Sequence, residues 1–92
     1  MIRPLAVYTA YTFDNRVQLT VRYETIFEAR RGTRGALSHF KAWGLRCRVW
    51  YHYADPASGG YEVGIVFAKG IDDDAVHRAM FNQPPAYNMG VT

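Results

Sequence analysis

Residues 17–28 carry a regular alternation. Val17, Leu19, Val21, Tyr23 and Phe27 share one parity; Gln18, Thr20, Arg22, Glu24 and Glu28 share the other. Period-two alternation marks a strand with one buried face. It predicts a strand from Val17 to about residue 29, in preference to a helix beginning near Thr25. Upstream, residues 3–13 are β-prone and end at Asp14-Asn15, a pair that tolerates left-handed backbone angles and predicts a two-residue hairpin turn. Downstream, Ala36, Leu37, Phe40 and Trp43 fall at helical spacing and predict a helix over about 31–43. Gly32 and Gly35 weaken its first turn, and Gly44 is placed to cap its end. Strands over Leu45–Ala54 and Tyr61–Lys69 then flank the loop 55–60, which is rich in Gly and Pro. Gly70 turns the chain into a second helix, with Asp72 as its N-cap and Val76, Ala79 and Met80 facing inward. Pro84-Pro85 stops any helix, so residues 83–92 read as an irregular tail after a single domain over 1–82.

The order ββαββα predicts an α+β two-layer sandwich: a four-stranded, largely antiparallel sheet with two helices on one face. Odd positions of the strands are nearly all apolar or aromatic, among them Val7, Leu19, Val21, Cys47, Val49, Tyr51, Val63, Ile65 and Phe67, and are expected beneath the helices. Even positions are mixed, and nothing in the chain is expected to cover them.

Composition supports a small packed domain. Of 92 residues, 49% are hydrophobic and 21% charged, too apolar for a disordered chain. No apolar run approaches the roughly 18–20 residues of a membrane span, and the first residues lack the features of a signal peptide. The single cysteine, Cys47, excludes an internal disulfide and a multi-cysteine zinc site. The expected compartment is the cytoplasm. Charge is uneven: residues 1–48 hold nine basic and three acidic side chains, for +6, while residues 49–92 hold two and five, for −3. Nine of the eleven basic residues are arginine, the side chain suited to bidentate and stacked contacts.

The even-numbered face concentrates this charge beside aromatic rings. Alternation makes Arg46, Arg48, Trp50 and His52 project together from one strand, with Tyr8 and Arg22 joining from the first hairpin. An exposed indole among arginines suits a protein interface, where both residue types are enriched as hot spots. It also suits single-stranded nucleic acid, whose bases stack on aromatic rings while arginines hold phosphates. The bland alternative is a homodimer interface or an indole covered by the tail. Arg30, Arg31 and Arg34 form a second basic patch, expected in a solvated strand-to-helix loop and near the free N–H groups of a helix start.

Catalytic and metal chemistry finds little support. His39, His52 and His77 are dispersed and lack ligand spacing. A Cys47–His52 nucleophile pair is disfavoured by opposite parity, and the Asp72-Asp73-Asp74 run is accounted for by helix capping and the helix dipole. No catalytic residue, metal or cofactor is expected.

The expected function is therefore stoichiometric, non-enzymatic docking of a protein or nucleoprotein through the open Arg/Trp sheet face, by a monomer or a homodimer. In size and style the chain is similar to the small inhibitors that phages direct at host machinery, although no motif carries that likeness. One alternative is single-stranded nucleic-acid binding through the same face. Another is a small dimeric ligand-binding or enzymatic domain using His52 with Tyr8 or Glu24.

Overall fold

A computed structural model describes residues 4–82. Its elements are β1 (Ala6–Tyr11), β2 (Val17–Tyr23), α1 (Ile26–Ala42), β3 (Cys47–Ala54), β4 (Tyr61–Phe67) and α2 (Asp73–Met80). The strands form one antiparallel sheet in the order β1-β2-β4-β3, so β1 and β3 are its edges. This is the expected α+β architecture. The tail expected over 83–92 and the N-terminal end of the first expected strand lie outside the described residues.

Register follows the buried pattern. Leu19 faces Ile65 and Val21 faces Val63 across β2 and β4, while Cys47 faces Phe67 and Val49 faces Ile65 across β3 and β4. Leu19, Val21, Val63, Ile65 and Phe67 join Ala29 and Phe40 of α1 and Val76 and Ala79 of α2 in one buried cluster, against which the partly buried Cys47 and Val49 pack. At its centre Phe40 meets Phe67 edge to face, with centroids 5.0 Å apart. The side of the sheet that carries this cluster is the core side, and the other is the open side.

Boundaries differ from the sequence expectation most at the second strand, the first helix and the first hairpin, while β3 begins and β4 ends two residues inside the expected spans. The second strand ends at Tyr23, and α1 begins five residues earlier than expected. Thr25 is the N-cap, in extended geometry, and its hydroxyl accepts a hydrogen bond from the Glu28 amide at 3.2 Å. Thr25 with Glu28 three residues later has the capping-box sequence; the Glu28 carboxylate accepts from the Thr25 hydroxyl at 3.2 Å, and this cap outweighs the apparent continuation of alternation. Phe27, which extends that alternation in the sequence, is exposed on the helix. Consequently Arg30, Arg31 and Arg34 lie within α1, beyond its first turn, and neither in a loop nor beside the free amides of the helix start. The first hairpin also differs. Thr12 N–H bonds to the Arg16 carbonyl across the three-residue loop Phe13-Asp14-Asn15, with Asn15 at φ 62°. A type I turn followed by a left-handed residue is the usual three-residue solution.

Other sequence signals hold. Gly44, at φ +75°, ends α1, with Leu45 N–H bonding the Phe40 carbonyl and Gly44 N–H bonding the Lys41 carbonyl. That double bond pattern is a Schellman cap. Asp72 caps α2 by accepting from the Ala75 amide at 2.9 Å. The ends of the two helices are tied together. His39 Nε2 bonds the Ala79 carbonyl, and the Trp43 indole donates to the Asn82 carbonyl at 3.3 Å.

Candidate binding face

The decisive local feature is a β-bulge in β3. Val49 pairs with Ile65, but the next β4 residue, Gly64, pairs with Tyr51, so Trp50 is the extra residue. A bulge sets two residues of one strand against one of the other and shifts the side-chain alternation beyond it. Before the bulge, Cys47 and Val49 face the core and Arg48 faces the open side. After it the assignment inverts. Tyr51 aligns with Gly64 and Tyr53 with Glu62, both on the open side, while His52 aligns with the buried Val63 on the core side.

The expected row Arg46-Arg48-Trp50-His52 is thus broken at its last member. His52 leaves the open face, and Tyr51 and Tyr53 replace it. The same inversion removes the parity objection to a Cys47–His52 pair. His52 Nδ1 is nonetheless engaged by the Tyr61 hydroxyl at 2.7 Å, and burial pushes the Cys47 thiol pKa up, away from a reactive thiolate.

The register shows why a bulge is needed. Closing the 55–60 loop between Ala54 and Tyr61 pairs odd residues of β3 with even residues of β4. Burying Val49 with Ile65 requires odd with odd. One extra residue reconciles the two, and Trp50 is that residue.

On the open side Tyr51 lies over Gly64, where a Cβ would overlap its ring. Its hydroxyl donates to Glu62 Oε2 at 2.9 Å and accepts from Gln18 Nε2 at 3.4 Å. Burial, with help from the Glu62 carboxylate, raises the Tyr51 pKa. Trp50 meets the Tyr51 ring edge to face at 5.7 Å. Tyr8 pairs with Thr20 and so shares this side. Trp50, Tyr8 and Tyr53 remain 47%, 49% and 51% exposed, so three rings stay accessible. Thr20 and Val66, though on the open side, are buried.

Charge sorts along this face. Arg22 was expected to contact a partner, but it is consumed internally. It pairs with Asp55 at 3.1 Å and Glu62 at 3.4 Å and donates to Ser58 Oγ at 2.7 Å. Asp55 also accepts from the Ser58 hydroxyl and the Ala57 amide. The Ser58 bond, then Arg22, hold its pKa below the ordinary carboxylate value. Arg16 is paired with Asp14 at 2.9 Å. Arg46 and Arg48 are exposed and make no ion pair among the described residues. The open face therefore has a neutralised end around Arg22 and a cationic end at Arg46 and Arg48, with Trp50 beside the latter. A shallow groove of about 180 Å³ runs between Trp50, Arg48 and the first hairpin.

No group of three or more metal-ligating side chains occurs among the described residues. No helix of the described residues is long and apolar enough to cross a membrane. The chain matches no protein-family model, and neither curated proteins nor solved structures give a significant match.

Proposed function

We propose that this protein acts by binding, docking a macromolecular partner through the open face of its sheet, with Trp50, Arg46 and Arg48 at the centre and Tyr8 and Tyr53 around them. One observation carries the reading. The exposed indole sits beside two arginines that no carboxylate of the described residues neutralises, whereas Arg16 and Arg22 on the same face are paired. Folding does not require that arrangement. Desolvating an indole and an arginine against a complementary surface is the usual source of interface energy. The two free charges being positive, the partner surface is acidic, and a protein is the first reading. Stoichiometric inhibition of a host machine is one role such a module would serve.

The test compares wild type with Trp50→Ala/Arg48→Glu. The wild type should retain a partner from native-host extract and bind it stoichiometrically once purified. The double variant should lose about 2 kcal/mol or more, roughly thirtyfold in affinity. Unchanged affinity in a folded double variant rejects the reading.

A single-stranded nucleic acid is the second reading. It is favoured by the Tyr51 ring lying over Gly64 next to Trp50, a surface on which bases could stack. It predicts quenching of tryptophan emission by oligonucleotides and affinity that falls steeply with salt, because bound phosphates release counterions. Absence of quenching at low salt removes it.

A further inference from the structure

The inverted end of β3 creates a second site on the other side of the sheet. Between α1 and β3 lies a cleft of about 360 Å³, within the size range of small-molecule pockets. Its floor is apolar, built from Ala29, Val49 and Val63. Its polar lining is Arg30, Arg34, Thr33, His52 and Tyr61, and no carboxylate contributes. Arg30 and Arg34 stand one helical turn apart on the same face of α1 and make no ion pair among the described residues. His52 and Tyr61 stack at 5.8 Å with 16° between planes and are joined by the 2.7 Å hydrogen bond at Nδ1, leaving Nε2 without a partner among the described residues. Thr33 Oγ1 is buried without a well-formed hydrogen bond among the described residues; its polar neighbour is the Tyr23 phenol, whose burial-raised pKa it opposes.

Each feature alone is unremarkable, and their convergence is what matters. An unsatisfied buried hydroxyl costs stability unless something bonds to it. Two unpaired guanidiniums one helical turn apart on the wall of one cleft can each give charge-assisted hydrogen bonds to one anionic head group. The apolar floor suits a hydrocarbon or aromatic body. We propose that this cleft binds a small amphipathic organic anion. Its carboxylate or phosphate head would sit on Arg30 and Arg34, and its body would lie on Ala29, Val49 and Val63. This site is independent of the open face, because the bulge directs Trp50 and His52 to opposite sides of the sheet.

The full chain is titrated with octanoate, octyl phosphate and octanol below micelle-forming concentrations, with amide shifts mapped by NMR. Saturable shifts from one or both anions, confined to α1 and the facing parts of β3 and β4, are expected, and which anion binds identifies the head group. Octanol should bind at least about tenfold more weakly. Arg30→Gln/Arg34→Gln, two exposed helix positions, should weaken anion binding by about tenfold or more. Thr33→Val should weaken it several-fold while leaving the fold intact. Trp50→Ala/Arg48→Glu should leave it unchanged, which separates this site from the docking face. Equal binding of octanol, unchanged affinity in the double arginine variant, or no saturable binding by either anion overturns the proposal.

Discussion

A Cβ added at Gly32 would lie 2.5–2.7 Å from ring and hydroxyl atoms of Tyr23, a residue 3% exposed that has no room to move aside. At Gly35, three residues along the same helix, nothing lies within 4 Å. Glycine costs a helix interior up to about 1 kcal/mol relative to alanine. Gly35→Ala should therefore raise stability by roughly 0.5–1 kcal/mol. Gly32→Ala gains the same propensity but forces apart a packed contact, which costs about 1–3 kcal/mol, so its net effect should be destabilising. Urea denaturation of the two variants checks the opposite signs. By helix propensity alone the two glycines are equivalent weak points near a helix start. Propensity is local, whereas the Tyr23 contact comes from the strand packed beneath. The capping box at Thr25 was legible, but the overlapping alternation through Phe27 masked it. Thr25→Ala should cost about 1 kcal/mol in the same assay.

At the scale of the element, β3 gives the sharpest prediction. If Trp50 is the extra residue, deleting it leaves Val49 opposite Ile65 and Tyr51 opposite Gly64, with every other side chain on its present face. The deletion variant should fold cooperatively, with native-like circular dichroism, while losing binding at the open face. Deleting Val21 from the centre of β2 has no such escape. It moves half of a buried strand to the wrong side and should abolish cooperative unfolding. If both deletions unfold the protein, the bulge assignment at Trp50 is wrong. Five of the six expected site residues (Tyr8, Arg22, Arg46, Arg48 and Trp50) keep their predicted face or exposure because strand alternation is a local property, although Arg22 is ion-paired there. His52 departs from the face that alternation assigns it because alternation counts residues and carries no record of an insertion. The clue lay in comparing two strands: hairpin closure and core pairing demanded different parities.

Across the whole molecule, charge separates by edge. Asp72, Asp73 and Asp74 lie near Tyr11 on the β1 edge, where partial desolvation and then Asp73 raise the tyrosine pKa. Arg46 and Arg48 lie at the β3 edge, and Arg30 and Arg34 line the cleft beside it. The sequence halves differ in sign and meet in the fold at Arg22, which pairs with Asp55 and Glu62, while the Asp72-Asp73-Asp74 run and the unpaired Arg46 and Arg48 lie toward different edges. The network of Arg22, Asp55, Ser58 and Glu62 joins the centre of the sheet to the 55–60 loop and predicts an acid-sensitive contribution to stability. Asp55 has its pKa lowered below the ordinary 3.8 in the folded protein. The unfolded chain therefore takes up the proton first. The stabilisation is complete above that ordinary value and is lost as pH falls through the folded value. Urea midpoints should fall between neutral pH and about pH 3, and the drop should be smaller in Asp55→Asn. An equal drop in both proteins shows that other carboxylates are responsible.

Element order, the parity of the buried strand positions, both cap residues and the asymmetry of charge were contained in the chain, because each depends on neighbours within a few positions. Pairing across the sheet decided the rest. It neutralised Arg22, sent His52 to the core side, laid Tyr51 over Gly64 and brought Arg30 and Arg34 to the cleft beside His52. Those outcomes depend on residues up to forty positions apart, whose proximity exists only once the sheet has closed and α1 has packed against it.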